Sequence, residues 1–423
     1  MERKGKMVRI FKIAVRNLMR YKRRTLLTAL LITLGVLMVI LFSGLSGSFK
    51  AMMIGQITDA NLSQIQIHKK GYVSSMDAIP LNLNLDHKGY AKIESVLNSH
   101  PAVDAWAPRI KLGAMLSNYA ETTNIRLNAI DPEKEIKVCP AVGDRMAFGN
   151  KGSREKLIEP GEIIIPDKLA KGMKIRLGDT MVLVANNKDG SVNGLNFTVV
   201  GITETVIGPQ GKEGYMHIKD ARVLLRMEKP EITEMAVRLK NFDMLAPVYE
   251  DLKSALAKFK NKKEKPAFEI HTWEKLSPFY NIARMIDLMS VSMKLIMVSI
   301  VLISILNVML MSVYERVREI GTMAAIGTTP GKIMALFLTE GTILGLISIA
   351  AGNIIGLSGI FFLNIYKIRF SFGRSDNLLL MPSISFTELF WLAVIVLLVS
   401  IFASLQPAYK ASKMEPVDAL GHV

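Results

Sequence analysis

The stretch RYKRRTLLTALLITLGVLMVILFSGL (Arg20–Leu45) sets a cluster of cations directly against an uninterrupted apolar run. The chain carries no charge from Thr25 to Phe49. A helix rises about 1.5 Å per residue, so about 20 apolar residues cross the hydrocarbon core of a bilayer. This run is long enough to do so. It is also longer than the roughly 7–15 apolar residues of a cleaved signal, which predicts an uncleaved anchor. Upstream, Arg3, Lys4, Lys6, Arg9, Lys12, Arg16, Arg20, Lys22, Arg23 and Arg24 face the single acid Glu2. Lys and Arg stay on the cytoplasmic side, so the N-terminus is expected inside the cell. Phe11, Ala14, Val15 and Leu18 recur at helical spacing beside Arg9, Lys12, Arg16 and Arg20. Residues 1–24 therefore read as a basic amphipathic helix lying on the cytoplasmic leaflet, in contact with membrane lipid.

Three further apolar runs follow, within Leu295–Tyr314, Ala335–Tyr366 and Leu389–Tyr409, the second broken only by Glu340. Spans are assigned to residues 25–48 and about 290–314, 333–362 and 387–407, with a loop at 315–332. The fold class is a multi-pass membrane protein of four transmembrane α-helices, one before and three after a large α+β domain at 49–287. Residues 288–423 form the second membrane module. Alternation of sides puts 46–288 and 367–388 outside, and 315–332 and the C-terminus inside. Lys367, Arg369 and Arg374 on the outer loop dilute the charge bias without reversing it.

The chain has 423 residues, 50% hydrophobic and 21% charged, with a net charge of +16. Its mean hydropathy is +0.29. The positive charge is concentrated before the first span; Lys50–Asp287 holds 34 basic against 29 acidic residues. A cationic block abutting an apolar helix is a membrane anchor, which excludes nucleic acid as the expected partner. The single cysteine, Cys139, permits no intrachain disulfide, and the six histidines show no ligand spacing. No metal site is expected.

Within 49–287, Ser63–His68 (SQIQIH) and Asn124–Ile130 (NIRLNAI) alternate as half-buried strands, and Lys88–Leu97 has helical spacing. Gly161–Thr205 reads strand, short helix, strand, hairpin, strand, with the hairpin tip in the Asn- and Gly-rich segment Asn186–Gly194. Asp243–Phe259 reads as an amphipathic helix followed by the lysine-rich KNKKEKP. Size suggests two subdomains, with no internal repeat visible. The phosphate-loop pattern is absent: GTTPGKI (Gly327–Ile333) has the wrong spacing and no Ser/Thr for Mg²⁺. No nucleophile elbow or zinc-protease motif occurs, so neither catalytic nor cofactor-binding residues are expected.

The loop after the second span carries the mechanism: YERVREIGTMAAIGTTPGKIMALFLTEG (Tyr314–Gly341). Glu315, Arg316, Arg318 and Glu319 lead the chain out of the bilayer. Ile320, Met323, Ala324 and Ile326 make a small apolar face that ends at Gly327. Thr329 is placed to cap the next helix, and Pro330 fits its first turn, where no N–H is needed. A short helix clamped between two spans cannot move without moving both. Glu340 lies about 15 Å into the third span, where an acid needs a partner or the interface. Gly352 and Gly356 (GNIIG) permit close helix approach, either within the chain or to a second copy. Lys294 is placed to reach the headgroups.

The run ERVREIGTMAAIG with Glu340, the C-terminal QPAYKASKMEPVDAL (Gln406–Leu420) and the segment GEIIIPDKLA…GDTMVLV…FTVVGITET resemble the MacB/LolC/LolE class of ABC transporter permeases. The order of basic tail, one span, outer domain and three spans also matches, along nearly the whole chain. The layout resembles the split LolC/LolE arrangement, whose ATPase is a separate polypeptide. The resemblance implies a bacterial inner-membrane permease that binds a cytosolic ABC ATPase and a second permease copy or paralogue, and binds no cofactor itself. ATP is hydrolysed by the partner, and closure of that partner moves the outer domains. The residues carried over as the coupling element are Glu315, Arg316, Arg318, Glu319, Ile320, Gly321, Met323, Ala324, Ala325, Ile326, Gly327 and Pro330. Lipoprotein cargo and a periplasmic carrier are implied for the lipoprotein-releasing members, whose carrier loop falls near the short polar hairpin 186–194. Export of peptides or drugs, as in MacB, and activation of an outer hydrolase, as in FtsX, are the alternatives.

Overall fold

A computed structural model describes residues 2–143, 146–149, 157–203, 213–261, 264–367, 369–372 and 375–415. Part of the C-terminal signature, Pro416–Leu420, and Arg374 of the outer loop lie outside the described residues.

Helix α1 (Glu2–Arg20) is separated by Tyr21 from α2 (Lys22–Ile57), which runs into one π-helical turn, Thr58–Leu62. Strand β1 (Ile65–Lys69), two 3-10 turns (Val73–Ala78 and Leu81–Leu83), α3 (His87–Ser99), β2 (Val103–Ser117) and β3 (Thr122–Ile130) follow. Next come α4 (Pro132–Val138), β4 (Met146–Gly149), β5 (Glu162–Pro166), α5 (Asp167–Gly172), β6 (Thr180–Asn186) and β7 (Val192–Thr203). Strand β8 (Glu213–His217), α6 (Ile218–Leu224), β9 (Glu234–Leu239), α7 (Leu245–Ala257), β10 (Phe268–Thr272) and α8 (Trp273–Leu276) complete the α/β part. The chain ends with α9 (Tyr280–Glu315), α10 (Val317–Ala325), α11 (Pro330–Tyr366), the strand pair β11 (Arg369–Phe372) and β12 (Ser375–Leu379), and α12 (Phe386–Ser412).

The chain divides into two compact units. The helical unit comprises the chain up to residue 51, 284–370 and 379 onward; the α/β unit comprises 52–283 with 371–378. Among the described residues, α2, α9, α11 and α12 are long and apolar enough to cross a membrane. Only 28% of the residues in the most apolar stretch of each span are buried by protein, which suits helices whose backbone bonds close internally and whose outer faces meet lipid. Their shared core is Ile32, Val36 and Ile40 of α2, Val301, Ile305 and Met309 of α9, Phe337 and Leu344 of α11, and Val396 and Ala403 of α12. Gly352 and Gly356 are closed against α2: a Cβ on either would stand 2.7 Å from Val36 or 2.9 Å from Ile40. The GNIIG face thus packs within the chain, and the face is not free for a second copy. Ser400 Oγ of α12 donates to the Gly341 carbonyl of α11 at 2.9 Å. Helix α12 opens with a capping box between Ser385 and Glu388. Thr329 has the extended backbone of an N-cap, but its side chain makes no capping bond, so Pro330 alone pre-sets the start of α11. The stretch read as an outer loop, 367–388, contains the two-stranded β11–β12 sheet.

The α/β unit is built on one ten-stranded mixed sheet, in the order β10-β1-β9-β2-β3-β8-β5-β7-β4, with β6 pairing β7 and the tip of β2. Segments β1-α3-β2 and β9-α7-β10 are two β-α-β units whose strands interleave as β10-β1-β9-β2, every neighbouring pair antiparallel. This is the split β-α-β arrangement. Everything from β3 to β8 is inserted between its halves and forms the second part of the sheet. Apolar residues of one face, including Ile65, Ile67, Met235, Val237, Ile110 and Leu112, pack with Ile93, Leu97, Val248 and Leu252 of α3 and α7. Gly161–Thr203 gives strand, helix, strand, hairpin, strand, as the sequence predicts. Strand β1 departs from expectation: Gln66 and His68 are as buried as Ile65 and Ile67. The second sheet face is covered too, over a layer of paired charges.

Candidate functional site

Helix α10 hangs between α9 and α11, and its two turns are set by different chemistry. At its end, Gly327 takes φ +89. Its N–H donates to Ala324 O at 3.0 Å, and Thr328 N–H donates to Met323 O at 3.0 Å. That pair of bonds is a Schellman ending, which needs a left-handed residue at this position. At its start, Arg316 is buried and leaves the helical conformation, with φ -110 and ψ 20. Burying a guanidinium demands partners on every side.

Those partners come from three elements. Arg316 Nε donates to Glu319 Oε2 at 2.9 Å, and Nη1 donates to Glu340 Oε1 and Oε2 at 3.0 and 3.1 Å. The guanidinium also lies 5.3 Å from the Phe337 ring. Glu340 receives a second donor, Asn17 Nδ2 of α1, at 2.7 Å. Tyr21 donates its hydroxyl to Glu319 Oε1 at 3.2 Å, and Arg20 Nη1 lies 3.4 Å from the same oxygen. Arg24 pairs with Glu315 at 2.7 Å and donates to Ser312 Oγ at 2.8 Å. Burial alone would raise the Glu319 carboxyl. The bonds from Arg316 and Tyr21 and the charge of Arg20 outweigh it and hold the group below its ordinary range.

Helix α1 is therefore a part of this site. Ala14 is fully buried, and with Ile10 and Leu18 it packs on Leu336 and Ile343 of α11 and Met323 of α10. The expected apolar stripe divides: Ala14, Val15 and Leu18 turn toward the protein, while Phe11 remains exposed. The short side chain of Ala14 lets α1 approach α11 closely enough for Asn17 to reach Glu340. The sequence reading missed Asn17, Tyr21 and Arg24. The signal was present in Asn17, an uncharged polar residue one turn from Ala14 and Tyr21 on the same face.

The residues expected to form the coupling element fall into two sets. Ile320 and Gly321 are buried, and Met323 and Ala324 are half-buried against the bundle. Glu315, Arg318, Ala325, Ile326, Gly327 and Pro330 are exposed. Ile326 differs from its assignment: instead of sharing the inner apolar face it is 78% exposed, because the turn ending α10 swings it outward. The result is an apolar tip, Ala325–Gly327, carried on a helix whose other side is locked.

The α/β unit holds a second Arg-centred cluster. Arg109 Nε and Nη2 donate to Glu135 at 3.0 and 2.6 Å, Nη1 donates to Glu234 at 3.1 Å, and Lys111 Nζ lies 2.8 Å from Glu234 Oε2. Arg109 also donates to Cys139 Sγ, and burial pushes that thiol up to about 12. Among the described residues no group of His, Cys, Asp and Glu is arranged to hold a metal. The hairpin β6–β7 is tied down: Asn187 N–H donates to Ser191 O at 2.7 Å, and Lys188 pairs with Glu231 at 2.9 Å.

One apolar helix, an α/β unit and three further apolar helices, with a short locked helix between the second and third, define a multi-pass membrane-protein architecture. Residues 25–255 match the model of the MacB-like periplasmic core domain, and residues 291–416 match the FtsX-like permease C-terminal domain. The chain belongs to the MacB-like periplasmic core domain family, within the MacB/LolC/LolE class of ABC transporter permeases. It is 26% identical to the lipoprotein-releasing system transmembrane protein LolC of Neisseria meningitidis serogroup B, over 92% of each chain. It is 24% identical to the macrolide export ATP-binding/permease protein MacB of Hahella chejuensis, over 98% of this chain and 60% of that one. The periplasmic region of MacB from Actinobacillus actinomycetemcomitans aligns with 52% of this chain and 92% of its own, at 15% identity and a TM-score of 0.36.

Proposed function

We propose that this permease is the membrane subunit of a lipoprotein-releasing transporter, driven by an ATPase on a separate polypeptide. Both termini and α10 lie on the cytoplasmic side, and the α/β unit lies outside, as the basic N-terminal block requires. The observation that carries the reading is the division of α10 into a locked side and a free tip. Arg316, Ile320 and Met323 bind the helix to the bundle, and Ala325, Ile326 and Gly327 face away. A nucleotide-driven partner that grips the tip moves α9 and α11 together, and the outer unit follows. Similarity to LolC along 92% of both chains supports the lipoprotein-releasing reading. Cargo is an acylated protein taken from the outer leaflet of the inner membrane, with a second permease completing the assembly.

Two measurements test this. The permease should retain a cytosolic ABC ATPase on purification. Ala325→Arg and Gly327→Asp should each lower permease-stimulated ATP hydrolysis at least about tenfold, the cost of one buried mismatched charge at an interface. Full stimulation in both variants defeats the loop assignment. Proteoliposomes loaded with a lipoprotein should release it on ATP addition. If a soluble peptide or drug stimulates hydrolysis and no lipoprotein is released, the function is export instead.

A further inference from the structure

The side of α1 turned away from the protein has its own pattern. At 100° per residue, positions four apart form rows along a helix. Phe11, Val15 and Met19 make one row, with Phe11 and Met19 exposed and Val15, between them, half-buried at the edge of the Ala14–Leu336–Ile343 contact. Lys12, Arg16 and Arg20 make the adjacent row, all exposed, and Lys22 and Arg23 extend the charge past Tyr21. An apolar row beside a basic row is how a helix sits at a membrane surface, with one edge among acyl chains and the other among headgroups. The protein-facing side of the same helix donates Asn17 to Glu340, and Tyr21, just past its end, donates to Glu319. Arg20 belongs to both sides: it ends the basic row and lies 3.4 Å from Glu319.

We propose that α1 docks on anionic phospholipid of the adjoining leaflet and that this contact holds α10 in its coupling position. The occupant is a lipid surface, because a cationic row complements anionic headgroups and the apolar row beside it has no use for a soluble anion. Docking seats α1, and the seated helix presents Asn17 and Tyr21 to the two acids that grip Arg316. On a neutral leaflet α1 keeps its packing through Ile10, Ala14, Val15 and Leu18 and its polar contacts but loses the lipid anchor, and the restraint on α10 weakens. Leaflet charge thereby sets how efficiently movement of α10 is transmitted. The lipid contact stands on α1 alone; its effect on coupling rests on the transporter reading.

The test has two arms, both on the full chain in proteoliposomes of phosphatidylcholine alone or mixed with phosphatidylglycerol. In the first, Phe11→Cys carries an environment-sensitive fluorophore; the native Cys139 is buried and does not compete. Phosphatidylglycerol should move the emission toward that of an apolar setting. Lys12→Gln with Arg16→Gln should weaken the response by about fivefold per charge removed. Identical emission in both vesicles overturns the lipid contact, whatever the ATPase does. A soluble glycerophosphate that reproduces the shift overturns the surface as its source. In the second arm, partner ATPase stimulation should be higher in the anionic vesicles. Asn17→Leu should abolish that difference while the fluorescence response persists. Equal stimulation in both vesicles, with the fluorescence response intact, overturns the regulatory half. Absence of stimulation in any vesicle counts against the transporter reading, and the fluorescence arm still decides the lipid contact.

Discussion

Each unit is organised around one buried arginine gripped by two glutamates, and the two clusters differ in how completely they are closed. Arg109 is surrounded by Glu135 and Glu234, both almost wholly buried, and Lys111 forms an ion pair with the remaining oxygen of Glu234. Arg316 is equally buried, and so is Glu340, but the side chain of Glu319 is 36% exposed and shares its second oxygen with Tyr21 and Arg20. A saturated interior cluster has no lower-energy rearrangement available, so it specifies a fold. A cluster open on one side can exchange a partner without stranding a charge, so it can change state. The first suits a rigid body, and under the proposed transporter function the second sits where motion would enter the protein.

The largest expected effect lies on the closed side. Arg109→Met leaves Glu135 and Glu234 buried without their shared cation. Breaking a buried pair by removing one partner costs about 3–5 kcal/mol. Cys139, the sole cysteine, reports the outcome, because its thiol reacts only when the α/β unit opens. Native-state labelling should accelerate by at least about two orders of magnitude. Unchanged protection would show that the cluster is dispensable, and the contrast between the units would fail.

The same layer gives a smaller, pH-dependent effect. Burial lowers His68 from 6.5 to about 4, partly offset by Glu234 and reinforced by Lys111 and His271. Unfolded, the ring binds a proton near its ordinary value, so between these limits the unfolded chain holds more protons than the folded one. Stability is thus full above about 6.5 and falls as pH drops toward 4, by about 3 kcal/mol. Glu234, held at about 2 against burial by Lys111, Arg109 and His68, extends the loss in the same direction below 4.5. Cys139 labelling across this range, corrected for intrinsic thiol reactivity, should show the drop, and His68→Gln should flatten its upper part. A flat wild-type profile between 6.5 and 4 would place His68 in contact with water and open the layer.

These clusters also mark where sequence reading succeeded and where it stopped. The four spans were legible because a bilayer imposes length and apolarity on consecutive residues, a local constraint. The pairing of Gly352 and Gly356 was legible as close approach, but its partner, Val36 and Ile40, lies over 300 residues away in the chain. Gln66 and His68 alternate with isoleucines as solvent-facing residues do. Only the sheet order, which brings Glu234 beside His68, reveals a second buried layer. The two β-α-β units share topology without shared residue identities, so no repeat showed. Glu340 announced its need for a partner by its depth in a span. That the partner is Arg316 follows from α10 folding back between α9 and α11, and Asn17 of α1 completes the pair. Charge requirements can be read from single positions, whereas their satisfaction is a property of the packed helices.

The smallest expected change in stability falls on the open side, and it divides the two clusters most sharply. Glu319→Gln removes the charge that faces Arg20 and Arg316 but leaves Glu340 to neutralise the buried guanidinium. A partly exposed pair of this kind is worth at most about 1 kcal/mol, so the unfolding temperature of the full chain should barely move. Coupling should not be spared in proportion. With Glu319 neutral, Arg20 loses its ionic hold on α10 and the Tyr21 bond weakens while Arg316 remains seated, so permease-stimulated ATP hydrolysis should change although the fold does not. Glu319→Asp, which keeps the charge on a shorter arm, should recover part of it. If Glu319→Gln instead destabilises the chain as severely as Arg109→Met, the Arg316 cluster is a second static clamp, and motion must enter the permease elsewhere.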